Sequence, residues 1–166
     1  MSLHARSVIA CVVACAALLV ACGSAGGHDP GRLHVESSRA AGTPFGEFGE
    51  TNVALGGRCM RVLVASTEHQ RVQGLRDVRS LAPYDGMIFV YGSDTSARFT
   101  MANTPQTLDI SFFDADGKPI DRKRMTPCPT GTDATCPIYA SSRRFRYALE
   151  RAAGAAGGGA LATCGA

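Results

Sequence analysis

The rhythm of apolar and polar positions changes along this chain, and the changes mark out its elements. Val8 to Ala21 form an unbroken apolar stretch. Residues 22–51 show neither the helical period nor the two-residue alternation of a strand, and are rich in Gly, Ala, Ser and Pro. They read as a flexible stalk. Alternation begins in "CMRVLVAS", residues 59–66, where Met60, Val62 and Val64 oppose Arg61 and predict a strand. "TEHQRVQGLRDV", residues 67–78, is polar with helical spacing, with Thr67 as N-cap and an end near Gly74. "GMIFVYG", residues 86–92, is a glycine-bounded apolar run and predicts a buried strand. "ARFTMANT" starts as a strand and breaks at Asn103-Thr104-Pro105. In "TLDISFFDADGKPIDRKRM", Leu108, Ile110 and Phe112 alternate with Asp109 and Ser111, and Asp116-Gly117 supplies a hairpin turn. "RFRYALE", residues 144–150, alternates again, whereas the glycine-rich residues 151–166 weaken any helix. Together these predict one mainly β domain over residues 52–166: a compact antiparallel β-sandwich or barrel with one or two short helices.

The apolar stretch at the N-terminus has 14 residues, fewer than the about 20 needed to span about 30 Å of hydrocarbon. Arg6 precedes it and small residues end it, so residues 1–21 read as a secretory signal peptide. Leu19-Val20-Ala21-Cys22 resembles the lipobox of bacterial lipoproteins. The resemblance implies acylation of the Cys22 thiol, cleavage before Cys22 and acylation of the new amino end. Val12-Val13-Ala14-Cys15 fits the same pattern after a shorter apolar run. The expected location is extracytoplasmic, with the lipid anchor in a bacterial cell membrane as the protein's partner surface.

Composition adds bounds. The chain has 166 residues, of which 45% are hydrophobic and 19% charged, which suits one globular domain. Its formal charge of +3 is spread out, with no basic run interleaved with aromatics, so no nucleic-acid partner is expected. Beyond Cys22 stand Cys59, Cys128, Cys136 and Cys164. In an oxidising compartment they read as two disulfides. "CPTGTDATC" is a turn-rich loop whose ends can meet, favouring Cys128–Cys136 and leaving Cys59–Cys164, although Cys164 lies in a loose tail. The cysteine spacing departs from that of zinc knuckles, so no metal site is expected.

The candidate chemistry is thin. Asp114-Ala115-Asp116-Gly117 starts like a calcium loop, but Lys118 and Met125 fall at ligand positions, so it reads as a turn. His69 is the one histidine available as a catalytic base in residues 52–166, on a predicted surface helix. Asp109 and Glu150 are conceivable as a carboxylate pair across strands. Arg71, Asn103, Thr104 and Asp109 form a polar constellation around a strand break and are the candidate binding residues. No cofactor is implied.

Taken in order, "VLVAST", "RVQGL", "GMIFVY", "FTMANT", "LDISFFDADG", "MTPC", "CPIYAS" and "RYALE" resemble the domain of unknown function 192 family across residues 62–150. The resemblance implies a compact β-rich domain with no established activity. The family's usual pattern has Trp and Lys where this chain has Thr100 and Ala102, and Met where Arg76 stands. It also continues past residues 164–165 into a last strand, expected here to be absent or reduced. The resulting expectation is a membrane-anchored lipoprotein with a small-ligand or envelope-binding domain. The alternative is a cell-envelope hydrolase using Asp109 and Glu150.

Overall fold

A computed structural model describes residues 33–164; the expected signal peptide, both candidate lipidation cysteines and the first part of the expected stalk lie outside the described residues. Ten strands and one short helix follow in chain order. They are β1 (Arg39–Ala40), β2 (Gly49–Leu55), β3 (Arg58–Ala65), α1 (Glu68–Gln73), β4 (Gly86–Thr95) and β5 (Arg98–Thr100). Then come β6 (Leu108–Phe113), β7 (Pro119–Met125), β8 (Ile138–Ala140), β9 (Phe145–Ala152) and β10 (Leu161–Thr163). The main sheet runs β1-β2-β3-β4-β9-β6-β7, with β10 added to β2, and β5 pairs with β8 in a small second sheet. The mainly β, sandwich-like architecture is the one expected.

Every strand pairing is antiparallel except β3–β4, so the main sheet is mixed. A parallel pair needs a crossover, and the segment carrying α1 supplies it. Thr67 caps α1: its hydroxyl accepts from the Gln70 backbone while the Gln70 side chain accepts from Thr67 N–H, a reciprocal capping box. The helix stops at Gly74, whose φ of 49° is left-handed.

Strand alternation sends side chains to two cores, one on each face of the main sheet. Val62, Val64, Ile88, Leu149 and Phe113 pack on one face with Leu33, Val35 and Leu161. Leu63, Met87, Phe89, Leu108, Ile110 and Phe112 pack on the other, under Leu75, Leu81, Tyr84 and Phe99. The ends of the sheet approach each other at β10: Leu161 pairs with Leu55 of β2, and its N–H donates to the Gly117 carbonyl in the β6–β7 turn at 2.8 Å. Gly117 has φ 77°, and a Cβ there would lie 2.0 Å from the Leu161 carbonyl oxygen, so the closure requires glycine.

The stalk expectation is corrected from residue 33 onward. Leu33, Val35, Ala41, Phe45 and Phe48 are buried, and β2 starts at Gly49, before the expected domain boundary at residue 52. Glu50 anchors this segment. Tyr84 donates to its Oε2 at 2.5 Å and Arg61 at 2.7 Å, while Arg39 pairs with Oε1. The Tyr84 hydrogen bond, then that of Arg61, holds the Glu50 carboxyl down at about 2. The tail is corrected too. Residues 151–164 are fastened by Arg151, whose guanidinium donates to the carbonyls of Ala156 and Gly157 at 2.9 and 2.8 Å. The short β10 precedes the position at which the family's last strand is expected, and residues 165–166 lie outside the described residues.

Candidate functional site

The crossover and the small sheet leave a cleft of about 320 Å³ between them, within the size range of ligand sites. Its apolar walls are Leu75, Phe89, Tyr91, Phe99 and Met101. Phe99 meets Phe89 edge-to-face at 5.1 Å, which fixes the two rings against each other. At the bottom stands Glu150.

Glu150 reaches the cleft because of register. It lies opposite Met87 of β4 and Ile110 of β6, and so shares the face those two bury. The residue is 4% exposed, and among the described residues no donor or cation contacts its carboxyl. Burial alone pushes its pKa up to about 8. A buried carboxyl without a partner is costly to ionise, and at neutral pH it is held mostly as the neutral acid. Burial also pushes the Tyr91 hydroxyl up to about 12, with the Arg71 charge pulling it down and the Glu150 charge pushing it up.

The mouth of the cleft is a polar clasp. Arg76 donates to Asp133 Oδ1 at 2.6 Å and Thr100 Oγ1 donates to the same oxygen at 3.1 Å. Arg76 also donates to the carbonyls of Ala102 and Val72 at 3.2 and 3.1 Å. The hydrogen bond from Arg76 holds the Asp133 carboxyl below its ordinary value. Asp133 belongs to the loop closed by Cys128 and Cys136, whose Cα atoms are 6.0 Å apart and whose sulfurs are bonded. Gly131 lies against that bridge: a Cβ there would come within 2.3 Å of both sulfurs. Arg76, Thr100 and Ala102, the positions at which the resemblance implies other residues, meet here: Arg76 and Thr100 share Asp133 Oδ1, and Arg76 donates to the carbonyl of the buried Ala102. Cys59 and Cys164 are bonded likewise, with Cα atoms 5.6 Å apart, and tie β10 to β3 far from the cleft.

The expected constellation separates. Arg71 lines the cleft, its guanidinium donating to the Ser66 and Val90 carbonyls and lying 4.8 Å from the Tyr91 ring centroid. Thr104 lines it also and is 3% exposed, with its hydroxyl turned to the Ala102 carbonyl at 3.4 Å. Asn103 instead forms a left-handed turn, φ 57°, and exchanges backbone hydrogen bonds with Asp77 and Cys128. Asp109 lies on the other face of the sheet. Arg124 grips both its oxygens at 2.9 and 3.1 Å, Arg122 donates at 2.8 Å and the Gly154 N–H at 3.0 Å. The hydrogen bond from Arg124 leads in holding its carboxyl far below the aspartate range. Asp109 is a fastening for β6, β7 and the turn after β9, and the paired-carboxylate expectation fails because adjacent register positions face opposite ways. His69 is exposed, its Nε2 3.6 Å from Glu47. The Asp114 turn closes on itself, with Asp114 Oδ1 accepting from the N–H groups of Asp116 and Lys118 at 3.0 and 2.9 Å. Among the described residues no group of three or more His, Cys, Asp or Glu is arranged to hold a metal ion.

Sequence reasoning had Glu150 only as a partner for Asp109, and it passed over Phe89, Tyr91, Phe99 and Asp133. An acid within the alternating run "RYALE" was the one available signal.

No curated protein matches the chain. Among solved structures, a protein from Sinorhizobium meliloti 1021 provisionally described as a transcription regulator is 29% identical, with a TM-score of 0.57, covering 69% of this chain and 93% of that one. A protein of unknown function from Novosphingobium aromaticivorans DSM 12444 is 22% identical, with a TM-score of 0.62, covering 76% of this chain and 94% of that one, and shows the shared fold. The model of the domain of unknown function 192 family, described as an uncharacterized ACR, matches residues 51–161, and the chain belongs to that family.

Proposed function

We propose that this protein is a lipid-anchored extracytoplasmic member of its family that binds a small ligand in the cleft between α1 and the β5–β8 sheet. The observation that carries the binding reading is Glu150, a 4% exposed carboxyl with no partner among the described residues, at the base of an aromatic-walled cleft. Domains satisfy their buried polar groups internally, and one left unsatisfied at an opening is what a ligand completes. Support for the anchor is the sequence around Cys22 alone. Two bonded cysteine pairs suit an oxidising compartment.

The test is a fragment screen observed by protein NMR at neutral pH. Expected are amide shifts at Phe89, Phe99, Met101 and Glu150 from a few related fragments. Shifts confined to other parts of the surface, or none at all, would overturn the reading.

A further inference from the structure

We propose that the cleft selects an organic cation, an ammonium group whose charge meets Glu150 and whose apolar body lies on Phe89 and Phe99. The inference rests on the binding reading above and names the class of ligand.

The argument starts from what Glu150 lacks. The protein has placed three arginines around the cleft, yet none completes it. Arg71 is held by two backbone carbonyls and lies over the Tyr91 ring. Arg76 is neutralised by Asp133 and bound to two further carbonyls. Arg98 stands on the exposed rim. Among the described residues lining the cleft, Glu68 is exposed to solvent and Glu150 is the buried carboxyl without a donor, and an occupant that carries its own positive charge supplies both a counterion and hydrogen-bond donors. The walls agree with this. Aromatic faces attract cations through their quadrupole, and that attraction grows where water is excluded. Phe89 and Phe99 supply such rings, set edge-to-face with centroids 5.1 Å apart in the lining of the cleft.

Charge bookkeeping around the carboxyl gives the pH behaviour. The groups facing the cleft are Glu68 and Arg71 of α1, Arg76 after it, Tyr91 of β4, Arg98 of β5 and Asp133 of the disulfide loop. Tyr91 is displaced upward to about 12 and Asp133 downward, so both titrate outside the range through which Glu150 passes. A cation binds the ionised carboxylate and so must drive a proton off Glu150 at neutral pH. Asp109 and Arg151 neighbour it along the strands but lie on the opposite face of the sheet.

Benzylamine, whose ammonium carries three N–H donors and stays protonated across pH 6–8, is the probe, with benzyl alcohol and phenylacetate as neutral and anionic counterparts. Binding is followed by amide shifts at Phe99 and Met101 in the full domain. The cation should bind best, its affinity rising about tenfold per pH unit from pH 6 toward 8 and then levelling, since the ionised fraction does so below the pKa. Glu150→Gln, checked for an intact melt, should lose the pH dependence and at least tenfold of affinity at pH 8. Binding of benzyl alcohol or phenylacetate in preference, or a pH-independent cation affinity, would overturn the cation inference and leave the cleft standing as a ligand site. Binding by none of the three probes would overturn both.

Discussion

Asp109 and Glu150 stand one step out of register across the β6–β9 pairing, with Ile110 opposite Glu150 and Arg151 opposite Asp109, so their carboxyls leave opposite faces of the sheet. Their fates diverge from that single step. One face presents Asp109 to two arginines and a backbone N–H, which favour its charge. The other presents Glu150 to an aromatic cleft and offers no partner among the described residues. The same functional group is thereby a fastening on one side and an unspent acceptor on the other.

Asp109→Asn should lower stability by about 1–3 kcal/mol at pH 7, through lost charge-assisted hydrogen bonds to Arg124 and Arg122. Its folded pKa is depressed, so its contribution is present above about pH 4 and is lost as pH falls further. The difference between wild type and variant in denaturant titrations should accordingly shrink toward pH 2–3. Ligand shifts in the cleft should be unaffected, and their loss would return Asp109 to the binding site.

Glu150→Gln should do the reverse. Its folded pKa of about 8 lies above the ordinary glutamate value of 4.5, so the wild type is penalised as pH rises from that value toward 8. The penalty grows on the order of 1.4 kcal/mol per pH unit at its upper limit. The variant should melt higher than wild type at pH 8, and the two should converge near pH 5. Equal pH dependence of the two melting curves would mean that Glu150 is paired or solvated in the folded protein.

Periodicity made the domain's centre legible. β3, β4, β6, β7 and β9 fall where alternation or Gly-bounded apolar runs predict them, and Thr67 and Gly74 bound α1 as cap and stop. Two kinds of element were missed. β2 is half polar, and its Glu50 is buried because Tyr84, Arg61 and Arg39 converge on it from distant segments. The short strands β1, β8 and β10 carry too few residues for a period, and β10 forms because Cys164 and the Gly117 turn hold it in place. The cleft was invisible for a related reason. Its walls come from β4, β5, the crossover and the disulfide loop, and only tertiary register decides that Glu150, not Asp109, faces them.

Replacing both Cys128 and Cys136 by Ser should cost about 2.6 kcal/mol if loop-closure entropy governs, since the bridged loop is short. The larger effect should be local. Asp133 would lose its fixed position, freeing Arg76 and Thr100, and amide exchange should rise at Asn103 and Cys128, whose N–H groups bond between this loop and the strand break. Arg76→Ala alone should raise exchange in the same loop with little change in melting temperature, because Asp133 is 64% exposed and such pairs contribute little. Unchanged exchange in both variants would show that the loop is held without the clasp.

Cys22→Ala tests the anchor, which lies outside the described residues. If Leu19-Val20-Ala21-Cys22 directs processing, the thiol of Cys22 receives the first lipid and its amino group is released by cleavage after Ala21. Each buried methylene of an acyl chain contributes about 0.8 kcal/mol, and two or more chains give lasting membrane attachment. Fatty-acid labelling should disappear in the variant, and the protein should either accumulate uncut or leave the membrane fraction. Leu33, which is buried in the domain, follows Cys22 by only a short stretch of sequence. Cys15→Ala should retain both labelling and fractionation. Persistent labelling of Cys22→Ala together with its loss in Cys15→Ala would move the processing site to Val12-Val13-Ala14-Cys15, and persistence in both would end the lipoprotein reading.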